Sequence, residues 1–147
     1  MNREAVFEQL KVDEGVKYEV YLDHLDLPTF GVGHLITDAD PEFEAPVGTP
    51  VSEERVWQAF EHDLDTAIGE CHRLYGSGFE AFPAEVQEVV VNMMFNMGRP
   101  RLSGFKKFNA ALEAGDWKEA AVEGRDSRWY RQVTNRAERL MVRLEAV

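Results

Sequence analysis

The fold is most constrained by residues 84–97, AEVQEVVVNMMFNM. Wound as a helix, Val86, Val89, Val90, Val91, Met93, Met94, Phe95 and Met97 cover almost every side with apolar surface. Such a helix belongs at the centre of a helical assembly. Pro83 suits its first turn, and Gly98 followed by Pro100 suits its end. Asn92 and Asn96, one turn apart, are its polar exceptions.

The other segments are amphipathic. Ser52 with Glu53 and Glu54 reads as a helix start, because the hydroxyl can cap free N–H groups and the acids suit the positive end of the dipole. Val56, Phe60, Leu64, Ala67, Cys71 and Leu74 then form one stripe, and Gly76 stops the helix after Tyr75. Cys71 lies on that stripe and reads as a small core residue rather than a nucleophile. Residues 3–11 are helical in pattern, ending at Asp13-Glu14-Gly15. Helices are also expected at 105–114, at 117–124 behind the capping box Asp116-x-x-Glu119, and at about 135–146 behind a Thr134 cap, with a short turn at 127–130.

Residues 16–36 differ in kind. VKYEVYL and TFGVGHLI are β-branched and aromatic, and predict two short strands joined around DHLDLP. Residues 37–50 hold three prolines and four acids, which predicts a loop with at most one short edge strand. The class is therefore α+β. A small lobe at 13–52 holds a short antiparallel sheet, a connecting helix spans 53–75, and residues 1–12 with 76–147 form a larger helical lobe. The 147 residues are expected to form a single domain.

Composition removes several function classes. The net charge of −11 argues against nucleic acid and works against long-range attraction to any anionic polymer. With one cysteine no intramolecular disulfide can form, and the four histidines show no metal-ligand spacing with it, so neither metal nor cofactor is expected. Neither a signal peptide nor a transmembrane segment is evident, so a soluble monomer without stable membrane association is expected.

Glu14, Asp23 and Thr29 are the candidate chemistry. The spacing alone is common in a chain with 27 acids. Their placement is less common: a helix end, a hairpin turn and the next strand could converge. Glycoside hydrolysis needs one carboxylic acid to protonate the leaving oxygen and a second carboxylate to activate water or attack the sugar. The acid must hold its proton near neutral pH, which favours a partly desolvated site. His34, in Gly31-Val32-Gly33-His34, could be a general base or a structural histidine paired with an acid; the second is favoured because no nucleophile candidate stands out in the chain. The two glycines suggest close backbone approach or a bulge. Trp117, Trp129 and Tyr130 could stack on sugars, but read more simply as packing residues.

Four blocks in order, VDEG (12–15), D-x5-TFGVGHL (23–35), VNMMFNMG (91–98) and SRWYRQ-x2-NRAER (127–139), resemble the phage-type lysozymes, the endolysins of glycoside hydrolase family 24. FEHDLD (60–65) and DWKEAA (116–121) echo it. The resemblance implies a lysozyme-like fold and an N-acetylmuramidase acting on peptidoglycan strands, at the β-1,4 bond between N-acetylmuramic acid and N-acetylglucosamine. Glu14 matches the general acid, Asp23 the second carboxylate and Thr29 the hydroxyl that helps to place the attacking water. Inversion is implied, with carboxyl groups about 6.5–9.5 Å apart. Leu35, Phe95, Phe108 and Glu123 fall at glycan-cleft positions. His34 and Asp63 match a structural pair, and Arg136 an arginine near the catalytic glutamate. A phage source would place the protein in the host cytoplasm, with action on the wall after release.

The chain departs from familiar members. Residues 37–50 are shorter, and Phe108 and Glu123 replace small or neutral polar residues. The acidic charge predicts that moderate salt does not reduce lysis. Two other activities fit the same residues: a lytic transglycosylase, which cleaves the bond without water, and a peptidoglycan-binding domain that has lost hydrolysis.

Overall fold

The structure, a computed structural model, describes residues Met1 to Val147. Helix α1 (Arg3–Glu14) buries Val6 and Leu10 and ends where Gly15 turns to φ 79°. Strands β1 (Lys17–Leu22), β2 (Pro28–Gly31) and β3 (His34–Leu35) then form one antiparallel sheet in the order β1-β2-β3.

The third strand corrects the reading of TFGVGHLI as one strand. Gly31 at φ 65° and Gly33 at φ 66° reverse the chain, so that Phe30 pairs with His34 and Thr29 with Leu35. Gly31 also satisfies the expectation of close approach. A Cβ there would stand 3.1 Å from Val56 Cγ1. Residues 37–50 are turns, as expected, and the edge strand is reduced to one bridge between Glu19 and Pro50.

Helix α2 (Glu53–Tyr75) starts behind Ser52, whose hydroxyl accepts from the Arg55 amide at 3.1 Å. Val56, Phe60, Leu64, Ala67 and Cys71 are buried. In the last turn Tyr75 takes the buried position and Leu74 is half-buried, because four residues past Cys71 fits the stripe better than three. The Tyr75 hydroxyl donates to Asn109 Oδ1 at 2.7 Å, which makes its burial tolerable.

The helices α3 (Gly78–Ala81), α4 (Ala84–Ser103), α5 (Lys106–Glu113), α6 (Trp117–Arg125), α7 (Arg128–Gln132) and α8 (Thr134–Glu145) follow. Val86, Val89, Val90, Val91, Met93, Met94 and Met97 of α4 are buried, as the sequence requires. The apolar helix breaks at Gly98 as expected, at a non-helical φ 76° and ψ 165°, and a second helical stretch continues beyond the kink to Ser103. Pro100 is compatible with this because it stands in the first turn after the kink, where no N–H is needed. Asp116 caps α6 by accepting from the Glu119 amide at 3.1 Å, as predicted. Thr134 does not cap α8. It is already helical, and its hydroxyl donates back to the Tyr130 carbonyl at 2.8 Å, because α7 runs almost directly into α8.

The chain divides into two compact units, Arg3–Thr66 and Met1–Asn2 with Ala67–Val147. Helix α1 falls in the first of these, where Phe7 packs on Phe60 at 4.7 Å and edge-on to Trp57 at 4.8 Å. The sequence reading grouped residues 1–12 with the helical lobe instead. Charge is divided unevenly. The first unit has 16 acidic and 4 basic residues, net −12, and the second has 11 acidic and 12 basic, net +1. No helix is long and apolar enough to cross a membrane.

Candidate active site

Glu14, Asp23 and Thr29 all belong to the first unit. Glu14 is the last residue of α1 and is exposed. Asp23 opens the β1–β2 turn. Its Oδ1 accepts from the amides of Leu25 at 2.8 Å and Leu27 at 3.0 Å, while its own amide donates to the Leu27 carbonyl at 3.0 Å. Asp26 helps the turn close by adopting φ 59°, a conformation that aspartate tolerates. The Leu27 amide, joined by the Leu25 amide and His24, outweighs an opposing effect of burial and holds the Asp23 carboxyl below the usual aspartate range. Asp23 is thus an ionised acceptor at neutral pH, and both amides use the same oxygen. Thr29, only 3% exposed, gives its hydroxyl proton to the Leu27 carbonyl at 2.9 Å. Its oxygen can then only accept further bonds.

Tyr21 lies directly opposite Thr29 in the β1–β2 ladder. It is half-buried, and burial, then the charges of Asp23 and Glu14, push its phenol above the usual value. Asp23 and Glu14 therefore act on one and the same phenol. Lys17 places its ammonium 4.3 Å from the centre of the Tyr21 ring.

His34 is locked beneath this surface. Its Nδ1 meets Asp63 Oδ2 at 2.8 Å and its Nε2 meets Asp40 Oδ2 at 3.0 Å. Burial alone would lower the imidazole pKa, but Asp63 and Asp40 together raise it. Asp40 also accepts from the Thr37 amide at 2.9 Å and from Arg55 at 3.0 Å, and Arg55 grips Glu42 through Nε at 2.9 Å. With both ring nitrogens engaged, His34 has no lone pair to offer a substrate. Asp40, Glu42 and Arg55 escaped the sequence reading, since nothing distinguishes them among neighbouring charges. The one available signal was Arg55 as the sole base near an acid-rich loop.

A model of the family described as "Phage lysozyme" matches residues 11–146. The chain belongs to the phage lysozyme family. It is a lysozyme-type enzyme with a lysozyme-like α+β fold. Among similar proteins, the pre-baseplate central spike protein Gp5 of Enterobacteria phage T4 is 33% identical over 92% of this chain. The chain spans only 27% of that protein. Probable T4-type lysozyme 2 of Dictyostelium discoideum is 31% identical over 91% of this chain and 89% of its own length. Probable T4-type lysozyme 1 of the same organism is 30% identical over 96% and 94%.

The remaining lysozyme residues singled out in the sequence take varied places. Leu35, on β3, is 47% exposed, and several other large apolar residues of the same unit, such as Leu25 and Phe43, are exposed too. Phe95 is half-buried on α4. Phe108 is 1% exposed and Glu123 half-buried, and both line an open depression of about 340 Å³ with Phe105, Lys106, Lys107 and Ser127. Phe108 can therefore give that depression a floor but little contact surface. Arg136 is 7% exposed, and its guanidinium donates to Asn92 Oδ1 at 2.8 Å and to the Asn92 carbonyl at 3.2 Å. Asn92 and Asn96 thus explain themselves, because Asn96 accepts from Trp129 Nε1 at 2.6 Å. Trp129 is buried and edge-on to Phe105, Trp117 is edge-on to Phe82, and the Tyr130 hydroxyl donates to Glu138. Burial pushes the Cys71 thiol up to about 12, as fits a core residue.

Proposed function

We propose that this lysozyme hydrolyses peptidoglycan at the β-1,4 bond between N-acetylmuramic acid and N-acetylglucosamine, with inversion at the anomeric carbon. Glu14 gives its proton to the leaving oxygen. Asp23 takes a proton from water as that water forms the new bond to the anomeric carbon, with Thr29 helping to place it. An inverting reaction leaves room for water between sugar and base, so the two carboxyl groups stand about 6.5–9.5 Å apart in the working enzyme. Glu14 is exposed in the free protein, and the bound glycan would supply the desolvation that a proton donor needs. Leu35, Phe95 and Glu123 contact the glycan or its peptides.

The observation that carries this reading is the state of Asp23. It is held ionised by two backbone amides through Oδ1, which leaves Oδ2 for water. Its shared action with Glu14 on Tyr21 supports convergence of the two carboxylates. Glu14→Gln is the test. It removes the proton donor and keeps the shape, so lysis of purified walls should be lost while the melting temperature stays close to that of the wild type. Retained lysis would remove Glu14 from the mechanism. Binding without hydrolysis by the wild type would instead favour a glycan-binding domain.

A further inference from the structure

The acid–base scheme leaves one need unmet. A water attacking through one lone pair has two protons and a second lone pair to be fixed. Asp23 Oδ2 can accept one proton. The Thr29 oxygen can accept the other, because its own hydrogen is already committed to the Leu27 carbonyl. Neither residue can donate. A third partner must fix the second lone pair, and it must be a hydrogen-bond donor.

We propose that Tyr21 is that donor and fixes the second lone pair of the attacking water. Tyr21 is directly across the ladder from Thr29, and residues so paired stand on one face with Cβ atoms about 4.5–5.5 Å apart. It lies near the end of β1, two residues before Asp23, which opens the turn that follows. Its hydroxyl makes no hydrogen bond within the protein. The two other tyrosines with half-buried or buried rings each do, Tyr75 to Asn109 and Tyr130 to Glu138. A hydroxyl without a protein partner, on a side chain that is half-buried, is one left for water or ligand. Burial, then the charges of Asp23 and Glu14, raise the phenol above its ordinary value of about 10, so at neutral pH it is protonated and can donate. Lys17 packs its ammonium on the ring face and restrains the ring without touching the hydroxyl.

The water then has four defined directions: protons to Asp23 and Thr29, one lone pair to the Tyr21 hydroxyl and the other to the anomeric carbon. As the new C–O bond forms and the glycosidic C–O bond breaks, Asp23 takes the water's proton and Glu14 protonates the departing oxygen. Tyr21 neither gains nor loses a proton. This role rests on the hydrolytic reading above.

Tyr21→Phe deletes the hydroxyl alone. With no protein partner lost, its melting temperature should match the wild type. On a soluble wall fragment kcat should fall roughly 10–100-fold, the scale of a misplaced reactant, with KM nearly unchanged. Lys17→Met should lower kcat less, again with little change in KM. An unchanged kcat for Tyr21→Phe, or a loss confined to KM, would overturn the proposal. Product analysis of the wild type separates the two levels. Anhydro sugar ends would mean that no water attacks, and would refute the underlying reading whatever Tyr21→Phe does. Reducing ends with an unaffected Tyr21→Phe would refute the role of Tyr21 alone.

Discussion

Replacing His34 by alanine should destabilise the enzyme in a pH-dependent way. The imidazole is 8% exposed and bridges Asp63 and Asp40, whose side chains are 28% and 13% exposed. A hydrogen bond to a charged group contributes about 1.5–3 kcal/mol. Two such bonds would set an upper figure of about 6 kcal/mol, but neither carboxylate is orphaned by the change. Asp40 keeps the Thr37 amide and Arg55, and Asp63 is exposed enough to be rehydrated. We therefore expect a loss of roughly 2–4 kcal/mol at about pH 5.5, where His34 carries its charge. The sign of the pH dependence follows from the shifts. His34 is raised in the folded protein, so its contribution is complete below the unfolded value of about 6.5 and drains away as pH rises through the higher folded value. Asp40 is depressed, because the Thr37 amide, His34 and Arg55 outweigh its burial. Its contribution is complete above about pH 4 and is lost as pH falls through the folded value. The network should stabilise most between roughly pH 4 and 6.5. Urea unfolding of wild type and His34→Ala from pH 4.5 to 8.5 measures this directly. A difference in stability that stays constant across that range, or grows toward alkaline pH, would refute the charge-paired account of His34.

Two further outcomes are expected. Gly31→Ala must place a Cβ 3.1 Å from Val56 at φ 65°, at a cost of about 2–3 kcal/mol from left-handed backbone and crowding. Thermal denaturation should show a fall of roughly 5–10 °C, and a fall under about 2 °C would mean that the β2–β3 reversal relaxes freely. The unit that carries Glu14 and Asp23 has a net charge of −12, so screening should ease the approach of anionic wall polymer. Wall lysis should hold steady or rise as salt is added up to about 0.15 M, and a steep decline would show that attraction, not repulsion, governs encounter.

Helix α2 was readable in the sequence because its apolar residues repeat at the helical period up to Gly76, and α4 because apolar residues cover almost every side of it up to the break at Gly98. Glu14, Asp23 and Thr29 could be singled out through family blocks and through their places at a helix end, a turn and a strand. Spacing alone could not have separated them from the other acids. What remained hidden depended on contacts rather than on patterns. The β2–β3 reversal depends on two glycines that also fit a bulged strand. Thr134 resembles a cap until α7 is seen to run into it. Asp40, Glu42 and Arg55 join His34 only when a loop folds against α2. Tyr21 sits in VKYEVYL, where a tyrosine looks like strand filling. Its availability as a donor is visible only from the bonds that the other tyrosines make and it does not.

The central claim is that Glu14 and Asp23 hydrolyse a glycosidic bond with inversion. Digestion of purified peptidoglycan, followed by mass spectrometry and early-time NMR of the released fragments, tests it most directly. The account predicts reducing N-acetylmuramic acid ends that appear first as the α anomer, and none from Glu14→Gln. Anhydro ends, or reducing ends that appear first as the β anomer, would contradict it.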